Sequence, residues 1–66
     1  MSNFLILREY QITLVLPTAE DEEGAPLYIF TTVKKQTFNE AVTAAYLYRA
    51  KNGLDWIIES IVQKKN

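Results

Sequence analysis

Cysteine and histidine are both missing from the 66 residues. Their absence excludes disulfide staples and any metal centre built on thiolate or imidazole. It also removes the commonest general base and the most reactive nucleophile at neutral pH. The only serines are Ser2 and Ser60, and the only glycines are Gly24 and Gly53, too far apart to form a phosphate-cradling loop. No stretch approaches the ~20 consecutive apolar residues of a membrane span. The run Phe4-Leu5-Ile6-Leu7 is short and lacks a basic start, so it does not read as a secretory leader. These absences predict a cytoplasmic protein with no cofactor, no metal and no catalytic residues, hence not an enzyme.

What is present reads as one small globular domain spanning residues 1–66. Hydrophobic residues make up 48% and charged residues 23%, which separates the chain from disordered sequences. A chain this short has interior enough for only one core. Packing must stabilise it unaided, or together with a partner or a second copy. The net charge of -1 disfavours a general binder of the phosphate backbone. It equally disfavours a mimic of DNA, which would need many more than eight acids.

Hydrophobic periodicity supplies the elements. Between Tyr10 and Leu16 the apolar residues Tyr10, Ile12, Leu14 and Leu16 alternate with Gln11, Thr13 and Val15, the period of a strand that Pro17 is expected to stop. Phe4–Leu7 is expected to extend it, with an irregularity at Arg8-Glu9. The polar stretch from Pro17 to Pro26 reads as a hairpin loop carrying four consecutive acids, Glu20, Asp21, Glu22 and Glu23. Its spacing lacks the alternating ligands and central glycine of a calcium-binding EF-hand loop. It is either a solvated connection or an acidic finger for a basic partner.

Leu27–Val33 is rich in β-branched and aromatic residues and predicts a second strand. Thr37-Phe38-Asn39-Glu40 is a capping box, which starts a helix predicted from Phe38 to about Lys51. Its buried stripe is Phe38, Ala41, Val42, Ala45 and Tyr48, and Asn52-Gly53 is expected to supply a left-handed stop. Leu54–Gln63 fits two templates. Trp56, three isoleucines and Val62 favour a third strand, whereas Leu54, Ile57, Ile58, Ile61 and Val62 also match a helix. The predicted fold is α+β: a three-stranded, mainly antiparallel sheet with one helix packed on one face, in the order β-β-α-β. The alternative is β-β-α-α.

Both faces of these strands carry large apolar groups, and one helix covers only one face. Tyr28 and Phe30 fall on one side of the second strand, Leu27, Ile29 and Val33 on the other. In the third strand Trp56, Ile58 and Val62 are set against Ile57 and Ile61. One sheet face should therefore stay apolar and exposed, the usual mark of an interaction surface, unless Phe4 and Ile6 fold back over it. Candidate partner-binding residues are Tyr28, Phe30, Trp56, Ile57 and Ile61, together with Glu20, Asp21, Glu22 and Glu23. Open edges on the Tyr10–Leu16 and Leu27–Val33 strands offer a second route, by strand addition. The helix surface with Tyr46, Leu47, Arg49 and Ala50 offers a third.

Thr37–Ala45, with Gly53 and an apolar last strand, resembles small early proteins of bacteriophages, in particular the β-β-α-β inhibitor of bacterial RNA polymerase made by T-odd coliphages. Tyr10-Gln11-Ile12-Thr13-Leu14, followed by an acidic turn and Tyr28, is more distantly similar to the dimeric phage inhibitor of uracil-DNA glycosylase. The resemblance implies a binding role directed at a host enzyme, in the host cytoplasm. The polymerase inhibitor's arginine-bearing last strand corresponds here to Trp56-Ile57-Ile58-Glu59-Ser60-Ile61, so none of its contact residues carries over. Three functions are thus expected in descending order: a non-catalytic module that binds a host macromolecule, a self-associating structural protein or homodimer, and a nucleic-acid binder using sheet aromatics beside Lys34, Lys35, Arg49 and Lys51.

Overall fold

The computed structural model describes residues 6–20 and 22–65, the backbone alone at 19 and 20. Within them β1 (Arg8–Glu20), β2 (Pro26–Lys35), α1 (Phe38–Asn52) and β3 (Ile57–Gln63) follow one another, the expected β-β-α-β order. The strands form one antiparallel sheet in the order β2-β1-β3. The predicted strand at the C-terminal end is therefore a strand, although it opens at Ile57: Leu54 and Asp55 form a turn, and Trp56 precedes the ladder.

Three expectations about the strands need correction. Pro17 does not stop β1, which runs on to Glu20; the regular β2 ladder ends at Leu16↔Leu27, and pairing resumes only at Glu20↔Pro26. A proline lacks an N–H to donate, so it is tolerated where the ladder is already interrupted. Arg8 and Glu9 show no irregularity against β2, where they pair with Lys35 and Lys34. Finally, β1 is the central strand, hydrogen-bonded on both sides, and the free edges belong to β2 and β3. Strand addition along Tyr10–Leu16 is thereby ruled out. Of the segment expected to extend β1, Ile6 and Leu7 are not strand and remain exposed, while Phe4 and Leu5 lie outside the described residues.

The helix covers the face of β1 that bears Tyr10, Ile12 and Leu14, all buried. It does so through small side chains: Ala41 and Ala45 are fully buried against the sheet. Alanine at these contact points lets the helix axis come close, and the large groups that fill the layer come from the strands. Ile29, Val33, Ile58 and Ile61 join from the two outer strands, with Ala44, Tyr48 and Trp56 closing the periphery. The ring of Phe38 is half exposed yet meets Tyr10 edge-on at 6.0 Å between centroids.

Both ends of α1 are closed by residues that the sequence announces. Thr37 accepts from the Glu40 amide at 3.2 Å, and the Glu40 carboxylate accepts from the Thr37 amide at 3.0 Å, completing the capping box. At the far end the Gly53 amide donates to the Arg49 carbonyl at 2.8 Å. Gly53 has φ 131° and ψ 147°, a region reserved for glycine rather than the left-handed helical one. Arg49 then fixes the chain as it leaves the helix, its Nε donating to the Trp56 carbonyl at 2.5 Å and its Nη2 to the Leu54 carbonyl at 2.9 Å. Gly53→Ala is expected to cost about 1–3 kcal/mol. A Cβ there would meet Trp56 only at 3.6 Å, an ordinary contact, so the cost comes from the backbone and not from crowding. Urea melts of the two proteins measure it. A neutral result would show that the connector adopts another conformation in solution.

Candidate functional site: the uncovered sheet face

Alternation places every second residue of each strand on the side of the sheet away from α1. On β2 these are Tyr28, Phe30, Thr32 and Lys34, and on β1 they are Glu9, Gln11, Thr13 and Val15. Simple alternation fails on β3. Thr13 pairs with Ser60 and Leu14 with Ile58, so Glu59 is an extra residue, a β-bulge, in the ladder. The bulge turns Ile58 and Ile61 both toward the helix and Ile57, Ser60 and Val62 both away from it.

The outer face therefore consists of cross-strand rows. Tyr28, Val15 and Ile57 form the first, Phe30, Thr13 and Ser60 the second, and Thr32, Gln11 and Val62 the third. Lys34 and Glu9 begin a fourth, completed by Lys64, whose amide donates to the Glu9 carbonyl at 2.8 Å and whose Nζ lies 4.0 Å from the Glu9 carboxylate. No helix packs here, yet Thr13 is buried, since it sits on the central strand between its larger neighbours. Around it Phe30 is 60% exposed, Val62 55%, Ile57 50% and Tyr28 45%. Among the described residues nothing covers these four side chains. Each would contribute roughly 1.5–3 kcal/mol if fully buried. Tyr28, Val15 and Ile57 make one apolar row and Phe30 adjoins it on β2, while Val62 lies two rows from Ile57, beyond Ser60.

Of the sequence-predicted residues, Tyr28, Phe30 and Ile57 meet on this face. Ile61 does not: the bulge sends it under the helix, where it packs on the core. Trp56 is likewise half-buried at the core periphery, one residue before the ladder begins. Val62 replaces them. Alternation counted from Trp56 groups it with Trp56 and Ile58, and the signal against that grouping is the spacing of Ile58 and Ile61, three apart inside a strand. The acids occupy the β1–β2 hairpin, with Glu22 and Glu23 exposed in its turn and Gly24 at φ 83°. Glu20 ends β1, and Asp21 lies outside the described residues.

Comparison with known proteins adds nothing to this geometry. No family model, curated protein or solved structure matches the chain.

The remaining candidate surfaces are less coherent. On the helix Tyr46 and Leu47 are exposed, but Arg49 is drawn down onto the Leu54 and Trp56 carbonyls. That same role separates Arg49 from Lys34 and Lys35, which in turn alternate to opposite sides of β2. The four cations proposed to flank a base-stacking platform are thus not one cluster. Among the described residues no three acidic side chains come together as a metal site, and no helix is long and apolar enough to cross a membrane.

Proposed function

We propose that this chain is a non-catalytic protein-binding module, and that its binding surface is the outer sheet face around Phe30. The observation that carries this reading is the group of four large apolar side chains, Tyr28, Phe30, Ile57 and Val62, left exposed on one face of a hydrogen-bonded sheet. Tyrosine and phenylalanine are frequent anchors at interfaces, and a rigid sheet presents them at little entropic cost. The lack of histidine, cysteine and a phosphate loop supports binding without chemistry. Modulation of a host enzyme, which the resemblance to phage early proteins implies, is one form that such binding takes.

Tyrosine labelling tests the surface directly. Tyr28 lies on the outer face, whereas the exposed Tyr46 lies on the helix. In dilute purified protein both should react. In an extract of the cells that make the protein, Tyr28 should be protected and Tyr46 should not. Equal labelling of the two residues in both settings removes the proposal.

A further inference from the structure

We infer that the occupant of the outer face is a second copy of this chain, packed face to face about a two-fold axis with its strands antiparallel to those of the first. The inference rests on the reading of that face as the binding surface. The observation that selects the partner is the distribution of charge.

Antiparallel topology gathers the start of β1 and the ends of β2 and β3 at one end of the sheet. Arg8, Lys34, Lys35, Lys64 and Lys65 lie at that end, five of the chain's seven basic residues: Lys34 and Lys64 belong to the outer face beside Glu9, while Arg8 and Lys35 pair on the helix side, where Glu40 of α1 lies close to Lys35. At the opposite end β1 closes at Glu20, and Glu22 and Glu23 lie in the turn; the sequence there, Glu20-Asp21-Glu22-Glu23, carries four of the eight acids. A chain of net charge -1 is in this way strongly polar along its 55 Å length.

A face-to-face dimer with two-fold symmetry has its axis in the plane of the interface, and the interface is self-complementary. If the axis runs along the strands, hairpin lies on hairpin and basic end on basic end. If it runs across them, each acidic hairpin lies on the partner's basic end, and the contact is made twice. Juxtaposed like charges are strongly unfavourable, so electrostatics selects the second arrangement. Nearly antiparallel strands are also compatible with the aligned packing of twisted sheets, about 10 Å apart. Along β1 the midpoint between Glu9 and Glu20 falls between Leu14 and Val15, beside the rows that hold Tyr28, Phe30 and Ile57. One axis therefore centres the apolar patch on itself and matches both pairs of ends.

Area points the same way. Three strands ~4.8 Å apart over seven residues at ~3.3 Å each project only about 300–350 Å². A stable interface buries about 800 Å² of accessible surface per partner. The apolar centre alone is small for that purpose, and the charged ends extend it along the long axis.

Sedimentation of the full chain, up to about 100 μM at low and high salt, tests the proposal. The expected result is a dimer whose dissociation constant rises about tenfold or more between the two salts. Phe30→Glu should give a monomer with an unchanged far-ultraviolet circular dichroism spectrum. Reversing the hairpin (E20K/D21K/E22K/E23K) or the basic end (K34E/K64E/K65E) should each weaken the homodimer. The first variant then has two basic ends and the second two acidic ends, so a mixture of the two should form heterodimers. The inference is overturned by a wild type that stays monomeric, by a dimer that persists in Phe30→Glu, or by reversed chains that do not pair with each other. A monomer that binds a single-stranded oligonucleotide through this face overturns it as well. If the wild type is monomeric while Tyr28 is still protected in extract, self-association fails and the binding face stands. If Tyr28 is also unprotected, both fail.

Discussion

Ile12→Ala is expected to leave the chain largely unfolded at room temperature. Ile12 is fully buried at the centre of the middle strand, beneath the helix, between Thr31 on one side and Ile61 on the other. Truncating an isoleucine in such a position costs about 2–5 kcal/mol, from lost transfer energy and from the cavity left behind. A domain of this size without disulfide or metal has about 3–5 kcal/mol in total, so the substitution consumes most of it. Urea melts followed by Trp56 fluorescence and by far-ultraviolet circular dichroism measure the loss. Val15→Ala on the same strand is the control, because Val15 faces outward and is only partly covered. A loss below about 1 kcal/mol for Ile12→Ala would place the helix on the other sheet face. If the chain dimerises, the two proteins must be compared at equal concentration, since stability then depends on it.

Ala45→Leu is expected to be the most damaging enlargement in the helix. Ala45 has no exposed surface and sits where α1 comes down on Ile12 and Leu14. A leucine there must push the helix off the sheet or force its neighbours from their rotamers, at about 1–3 kcal/mol. Leu47→Ala, two positions along, should change stability by no more than about 0.5 kcal/mol, because Leu47 is exposed. The pair of measurements reads out which side of the helix is buried. Equal effects at the two positions would contradict the packing described above.

Local features of this fold were legible in the sequence wherever a short stretch decides them. The capping box at Thr37 and Glu40 and the stop at Gly53 depend on side chains and backbone within one turn, and helix and prediction agree to within a residue. The alternation of Tyr10–Leu16 marked the buried face of β1 correctly because both of its neighbours keep register there. Features set by distant partners were not legible. That β1 is central depends on β3 crossing to its far side, which no local pattern encodes. The position of Ile61 depends on the extra residue at Glu59, and counting by twos from Trp56 inverts the face of everything after it. Of the candidate site, Tyr28 and Phe30 come from a strand with unbroken alternation, which places them on one sheet face as expected; the residues from β3 divide between the two faces because of the bulge. The basic end was missed for a similar cause: its five cations come from three separate strand termini and meet only through topology.

The bulge at Glu59 also bears on how this chain can change length. A one-residue deletion in a strand normally turns over every side chain beyond it and exposes the core. Removing Glu59 would do the opposite. It would leave Ile57 outward, Ile58 inward, Ser60 outward, Ile61 inward and Val62 outward, an unbroken alternation that keeps every face as it is now. β3 thus contains a site where a codon can be lost or gained without redrawing either the core or the outer surface, and related chains that differ by one residue there would share the same two faces.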